Sequence, residues 1–398
     1  MSIFLLPFGR AVEIPTALLA FIGVGLLCKP ASRGALASPP VRLYAALFIL
    51  LWLPMIVSVI GAQDSARSLE KSLLYLRFLF AGLAVLYLLK KPAAQEALLY
   101  GSCLIVVVWL ADSILQLVNG VDILGIQYDG WRLSGPFKRL IMPVFLSLLL
   151  PFCLYAAAKY SQRMVFIGVA AVSFFVLLLA GSRSSLMVVL FGLTLFFSFL
   201  LLQDLKKHMR FVLLVFSLST AVVGVCYDKN ESFNQRVDNT AMIFKGDYAS
   251  INKATSSRLP IWQAAWQAAI NNPVNGVGSR NFRHVFHDYK LDESAFAGRT
   301  VTHPHLFILE TFAETGLLGL VGLLFMPIML LRFFIRQQKP ISLVPYDQAV
   351  AAITIMVAFF PFNSHVSLYG SIYSQLAWLM TALSCSFLVT KQEQRCAL

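Results

Sequence analysis

The chain has 398 residues, of which 58% are hydrophobic and only 13% charged; a water-soluble globule carries about 25% charged residues, so a soluble fold is excluded and the bilayer becomes the solvent. The formal net charge of +13 would suit a nucleic-acid binder, but the basic residues sit in short clusters between apolar runs, as cytoplasmic loops of membrane proteins do. At about 20 apolar residues per crossing plus a connector, the length allows about a dozen helices in one membrane domain.

The N-terminal MSIFLLPFGR has neither a basic start nor a small-residue cleavage site, so it does not read as a removable signal peptide. Apolar runs follow at 12–28, 41–61, 72–89, 97–118, 140–158, 163–180, 184–202, 210–226, 306–331, 347–361 and 369–390. Alternate connectors are basic: Lys29, Arg33 and Arg42; Lys90 and Lys91; Lys159 and Arg163; Lys206, Lys207 and Arg210; Arg332, Arg336 and Lys339; Lys391 and Arg395. The positive-inside rule puts these in the cytoplasm. Connectors 62–71, 119–139, 181–185, 227–305 and 362–368 then face the other side.

This predicts an all-α, polytopic integral membrane protein with about 11–12 transmembrane helices and one large outer loop containing helices. Eleven spans put the N-terminus outside; twelve, the preferred count, needs residues 1–9 to begin a short or re-entrant span. The organisation is 1–226 N-terminal membrane helices, 227–305 loop domain and 306–398 C-terminal membrane helices. Cys28, Cys103, Cys153, Cys226, Cys385 and Cys396 show no metal-ligand spacing and avoid the large loop, so they read as packing residues.

Within the apolar runs, Asp112 suits helix pairing. Arg132, Lys138 and Arg139 in DGWRLSGPFKRLIMP, and Arg183 in AGSRSSLM, stand at outer ends of spans, where they either snorkel or meet a lipid phosphate. SSRLPIWQAAWQAAINNP predicts an amphipathic helix capped by Ser256 or Ser257, with Pro260 in its first turn and Asn271-Asn272-Pro273 as its stop. Its apolar stripe is Ile261, Trp262, Ala265, Trp266 and Ala269; the tryptophans suit headgroup depth or plain packing on the bundle. Arg258 stands at the positive end of that helix, a position an anionic partner would favour. Gly276 and Gly278 precede Arg280 and Arg283 in NGVGSRNFRHVF, a bend able to offer N–H groups and guanidinium forks to phosphate, or simply to join two helices.

HDYKLDES gathers His287, Asp288, Asp292 and Glu293 without a tight carboxylate pair and reads as a solvated stretch, so no metal is called for. In THPHLFILETFAETGLLG, His303 and His305 flank Pro304 where a long apolar helix begins. With proline at the first helical position, His305 falls in the first turn, where the helix dipole keeps imidazole neutral and able to accept a proton. The alternative is a histidine pair that only satisfies hydrogen bonds at an interface. Glu310 and Glu314, four residues apart, line a polar face, orient a histidine or pair with neighbours. No Gly-Lys-Ser/Thr phosphate loop is present, so an energy source must arrive with the substrate.

GSRSSL at 181–186, SSRLPIWQAAWQAAINNPVNGVGSRNF at 256–282 and HPHLFILETFAETGLLG at 303–319, in this order around one large outer loop, resemble the O-antigen ligase family of bacterial inner-membrane glycosyltransferases. That family also contains O-antigen polymerases and pilin O-oligosaccharyltransferases. The resemblance implies a GT-C-like enzyme that needs no nucleotide, metal or other cofactor. It implies transfer of O-antigen polysaccharide from undecaprenyl pyrophosphate to a sugar hydroxyl of lipid A-core, at the periplasmic face and with inversion. His305 is the implied general base, with His303 as second candidate, and Arg183 and Arg258 the implied pyrophosphate ligands. Arg132, Lys138, Arg139, Arg280, Arg283, Glu310 and Glu314 are further candidates for substrate binding. Leu306 stands where the family usually has Asn, and Ser184 where Gly is common. The implied partners are the two lipid-linked saccharides and membrane lipids, not nucleic acid. A polymerase or a protein O-oligosaccharyltransferase shares this reading. A transporter of an anionic lipid-linked substrate is disfavoured, because no internal repeat is found and the charges gather at the outer face.

Overall fold

Each of the eleven apolar runs falls on a helix over most of its described length. The computed structural model describes residues 1–30, 33–160, 163–291, 296, 299–336 and 340–388. Asp292, Glu293, Lys339, Lys391, Arg395 and Cys396 lie outside the described residues. The helices are α1 (Glu13–Cys28), α2 (Arg33–Leu36), α3 (Pro39–Val57), α4 (Ser65–Leu88), α5 (Pro92–Asn119), α6 (Met142–Tyr160), α7 (Arg163–Ala180), α8 (Arg183–Gln203) and α9 (Leu205–Lys229). The large connector holds α10 (Glu231–Ala241), α11 (Tyr248–Ala254), α12 (Leu259–Asn271) and α13 (Phe282–Tyr289), and α14 (Phe307–Arg336), α15 (Tyr346–Ala358) and α16 (Ser371–Phe387) follow. Eight helical segments are long and apolar enough to cross a membrane, and Val165–Ala180 and Tyr346–Ala358 are shorter apolar helices. The chain is an all-α polytopic membrane protein.

Residues 6–12 form a 3-10 segment, bent at Gly9, that runs directly into α1, and Leu6–Cys28 counts as one crossing segment. A separate span over residues 1–9 would need about 20 residues of its own. Residues 6–9 belong to the Leu6–Cys28 segment and add no separate span among the described residues, and eight segments, fewer than the eleven or twelve expected, meet the length and hydropathy needed to cross.

Short polar residues restart the chain at two of the outer turns. Asp64 caps α4 by accepting from Arg67 N–H, and Ser182 caps α8 by accepting from Ser185 N–H. Asp112 ties down a loop instead of pairing helices: its carboxylate accepts from Ile123 N–H at 2.9 Å. Gln116, one turn on, accepts from Ser134 N–H and Gly135 N–H at 3.1 and 2.9 Å, so α5 fixes the connector that carries Arg132. Trp378 of α16 is at the centre of the membrane core, against Tyr44 and Phe48 of α3, and donates to Tyr75 of α4 at 3.0 Å.

The long helix α14 is broken. Gly316 has φ 65°, a left-handed conformation that a side chain disfavours, and a Cβ there would lie 2.2 Å from the Val274 carbonyl oxygen. The break frees the carbonyls of Ala313 and Glu314, which accept from Val277 N–H at 2.9 Å and Gly278 N–H at 3.1 Å. Leu317 N–H and Leu318 N–H donate to Pro273 and Val274 at 2.8 and 3.4 Å. The large loop thus splints the break, which at membrane depth requires every backbone group to be satisfied internally. The Gly276–Gly278 bend offers no open N–H cradle to phosphate, because the N–H groups of Val277 and Gly278 are spent on α14.

Helix α12 is held on α14 by Ile261, Ala264, Ala265, Ala268 and Ala269. The predicted stripe is rotated toward the alanines, whose small size allows close approach, and Trp266 is 51% exposed while stacking edge-on to Phe312. Neither Ser256 nor Ser257 caps the helix: both have positive φ, Arg258 is the N-cap, and the Leu259 N–H goes to Asn252 Oδ1 at 3.3 Å.

Candidate active site

The histidines do not sit in the first turn of α14. The helix begins at Phe307, and the first helical N–H groups are taken by another connector: Phe307 N–H donates to Asn363 at 3.1 Å and Ile308 N–H to Pro361 at 2.9 Å. His305 precedes the helix in a left-handed conformation, φ 54°. The 361–368 connector lies across the helix start, held also by Glu310, which accepts from Leu368 N–H at 2.9 Å and from the Ser367 hydroxyl. That strap brings His365 beside the pair.

The rings of His303 and His305 lie 3.9 Å apart at 43°. His303 Nδ1 shares a hydrogen bond with the Thr302 hydroxyl at 2.9 Å, and its Nε2 is buried with no partner among the described residues. His305 Nδ1 is buried without a partner among the described residues, and the His365 backbone lies close enough to the ring to favour its protonated form. A backbone carbonyl only accepts, so a His305 proton facing the His365 backbone would sit on Nε2 and leave the unpartnered Nδ1 lone pair free. The Thr302 hydroxyl can donate or accept, so it fixes no tautomer for His303.

All three imidazoles are held neutral, by burial first and by neighbouring positive groups second, not by the helix end. His303 is pushed down to about 2 by burial, then by His305, Arg280, Arg258 and Arg283. Burial and then Arg258 lower His305 to about 4, with the His365 hydrogen bond opposing. His365 is lowered to about 4 by burial and then Arg258.

Arg183 heads α8 and donates to the Thr240 hydroxyl at 3.1 Å, the Ser256 hydroxyl at 2.8 Å and the Ala254 carbonyl. The large loop is thereby tied to the membrane bundle at that guanidinium. Arg258 donates to the Ser364 hydroxyl at 3.1 Å and is lowered to about 10 by burial, then by Arg183 and Arg132. Arg132 is half-buried, and its Nε has no partner among the described residues. No carboxylate ion-pairs with Arg132, Arg183 or Arg258 among the described residues. Lys138 and Arg139 are exposed, and neither is among the cations that act on the histidines.

On the other side of His303, Arg280 is tied down. Its N–H donates to Glu314 at 2.7 Å, its guanidinium donates to Ser367 at 2.6 Å, and Glu310 lies 3.9 Å away. Glu310 and Glu314 are fully buried and serve Arg280 and the strap; the imidazoles are oriented by Thr302 and the His365 backbone instead. Arg283 is half-buried and close enough to His303 to disfavour its protonation. Among the described residues, no three His, Cys, Asp or Glu side chains are grouped to hold a metal ion.

The structure therefore brings together Arg132, Arg183, Arg258, His303 and His305, with Arg280 and Arg283 flanking. It adds Ser364, His365 and Arg236, none of which stood out in the sequence. His365 lies in an outer connector, the same topological position that singled out His305, so the charge pattern contained a signal for it. Arg236 sits among mixed charges in NESFNQRVDN, which hide it. Residues 168–324 match the family model described as O-Antigen ligase, a stretch that contains all three sequence blocks. No curated protein matches the chain.

Proposed function

Because the chain belongs, through residues 168–324, to the O-antigen ligase family, we propose that it transfers O-antigen polysaccharide from undecaprenyl pyrophosphate to a sugar hydroxyl of lipid A-core. The reading includes the bacterial inner membrane as location and the periplasmic face as the side of reaction. The positive-inside pattern supports that side: Arg132, Arg183, Arg258, His305 and His365 all come from connectors opposite the basic ones, or from their borders. The 227–305 segment then acts as a loop domain closing over the outer ends of the membrane helices.

The observation that carries the mechanism is the bare, buried Nδ1 of His305, with the His365 backbone beside the same ring. The acceptor hydroxyl attacks the anomeric carbon as its proton passes to Nδ1. The bond from that carbon to the pyrophosphate oxygen breaks on the opposite face, which inverts the configuration. Negative charge grows on the departing pyrophosphate, where Arg183 and Arg258, with Arg132 beside them, receive it. Arg258 also lowers the proton affinity of His305. A bound pyrophosphate offsets that charge, so donor binding makes His305 a stronger base.

The test is ligation by purified protein with both lipid substrates. His305→Ala is expected to lower turnover by about 10² to 10⁴, the usual range for a general base. His303→Ala should have a smaller effect, because nothing fixes its tautomer. Near-normal turnover in both variants sinks the mechanism. A deletion strain separates ligase from polymerase: loss of a ligase leaves long polymer on the carrier, whereas loss of a polymerase leaves single repeats on lipid A-core.

A further inference from the structure

We propose that α10 is a clamp whose Arg236 is a positioning residue, setting Arg132 and Arg183 at the spacing that reads the donor pyrophosphate. The inference rests on the reading of those two arginines given above.

Ser232, Arg236 and Thr240 recur every four residues and so share one face of α10. Each of them grips a different part of the site. The Ser232 hydroxyl donates to the Gly130 carbonyl at 3.2 Å. Arg236 donates from Nη1 to the Trp131 carbonyl at 2.8 Å and the Leu179 carbonyl at 3.4 Å, spanning the connector before α6 and the end of α7. Thr240 accepts from the Arg183 guanidinium at 3.1 Å and donates to the Arg236 carbonyl at 2.7 Å. The carbonyl of Trp131 immediately precedes Arg132, and Leu179 lies four residues before Arg183, so one guanidinium joins the two backbones that carry the candidate phosphate ligands.

The side chain is built into its place. Arg236 is 6% exposed, and its guanidinium lies over the rings of Trp131 and Phe233 at 5.8 and 5.9 Å. Gly181, with φ 65°, makes room for it: a Cβ there would lie 2.2 Å from Arg236 Nη1. No carboxylate ion-pairs with Arg236 among the described residues. A further cation is therefore buried beside Arg132 and Arg183, in contact with carbonyl acceptors and ring faces, and Asp129 and Tyr128 offset only part of the cost of its burial and of the neighbouring arginines. That is an unfavourable arrangement for a structural tie alone, and an anion arriving between the neighbouring arginines relieves it.

The experiment combines backbone hydrogen exchange without substrate and steady-state ligation with undecaprenyl-pyrophosphate donor, on full-length Arg236→Gln, Arg236→Lys and Gly181→Ala proteins. Arg236→Gln should speed amide exchange at 130–133 and 179–183 and raise donor KM roughly tenfold or more, the scale of one charge-assisted hydrogen bond. Acceptor KM should stay within about twofold of the parent, a change on the order of 0.4 kcal/mol. Arg236→Lys keeps one carbonyl contact and should recover part of both losses, and Gly181→Ala should reproduce them by displacing the guanidinium. Should Arg236→Gln fail to fold, the other two variants carry the test. Unchanged exchange in the variants overturns the clamp. Faster exchange with unchanged donor KM leaves the clamp standing and overturns the placement of the donor at Arg132 and Arg183, and with it the proposal.

Discussion

Two groups of arginine flank the histidine pair, and they differ in what neutralises them. Arg280 is answered from within: Glu310 and Glu314 are buried beside it, and its guanidinium and N–H are bonded to Ser367 and Glu314. The guanidinium groups of Arg183 and Arg258 donate only to hydroxyl and carbonyl oxygens, no carboxylate ion-pairs with them or with Arg132 among the described residues, and after burial the charges of Arg183 and Arg132 lower the proton affinity of Arg258. One flank is complete without a ligand; the other is short of negative charge. Burying cations without counter-ions is costly, so the open flank is the place for an anionic substrate and the closed flank holds the scaffold together.

Substitution separates the flanks most sharply. Arg183→Lys or Arg258→Lys keeps the charge but replaces a planar fork by a point ammonium. Each is expected to lower donor kcat/KM by roughly 10² to 10³, the range for loss of a positioned donor at developing charge, while the melting temperature of the detergent-solubilised protein falls by less than in Arg280→Met, since no carboxylate is stranded. A fall in stability equal to that of the closed flank would erase the distinction.

Arg280→Met reverses the pattern. It strands Glu310 and Glu314 and should lower stability by about 3–5 kcal/mol, as removal of one partner from a buried ion pair does. Thermal unfolding measures this. Adding Glu310→Gln and Glu314→Gln to Arg280→Met should restore most of the loss, since the unpaired carboxylates would be gone. If the triple variant is no more stable than the single one, the network contributes through shape and not through charge.

The histidines couple both flanks to pH. Their proton affinities are lowered in the folded state, His305 and His365 to about 4 from an ordinary 6.5. Between those values the unfolded chain binds more protons than the folded one, so stability falls as pH drops through 6.5 towards 4. The slope approaches about 1.4 kcal/mol per pH unit for each such histidine. Melting temperatures across pH 4–7, compared with those of a His365→Gln variant, measure it, and equal slopes would remove His365 from the account. Saturating donor should move the His305 midpoint upward, because the pyrophosphate offsets Arg258.

How much of this was visible in the residue order depends on whether the deciding interaction is local. Hydropathy and alternating charge located all eight described segments that are long and apolar enough to cross a membrane, because span length and the cost of crossing are properties of consecutive residues. Arg183, Arg258, His303 and His305 also stood out, through their place at the ends of apolar or amphipathic segments. The start of α14 was misplaced because Asn363 and Pro361, more than fifty residues away, satisfy its first N–H groups. The glycine bend was misread for the same reason: its N–H groups answer a break at Gly316 that no local rule connects to it. His365 and Arg236 act through backbone carbonyls of distant segments, and a carbonyl leaves no mark in a sequence.

Lys138 and Arg139 probe the comparison from its margin. They share a connector with Arg132 and carry the same sign, so a site defined by net charge alone would include them. Both are exposed, whereas Arg132 is half-buried with its Nε unsatisfied among the described residues. Exposed charges in water interact weakly and are screened within about 10 Å at 0.1 M salt. Lys138→Ala and Arg139→Ala should therefore change donor kcat/KM by less than about threefold, in line with a surface pair worth under ~1 kcal/mol, and that small effect should vanish at high ionic strength. Arg132→Ala, by contrast, should keep its effect in salt, because the interaction it removes is enclosed. A salt-insensitive loss at Lys138 or Arg139 would mean that the donor saccharide or its carrier reaches further along the connector, and that the open flank extends beyond the three half-buried arginines.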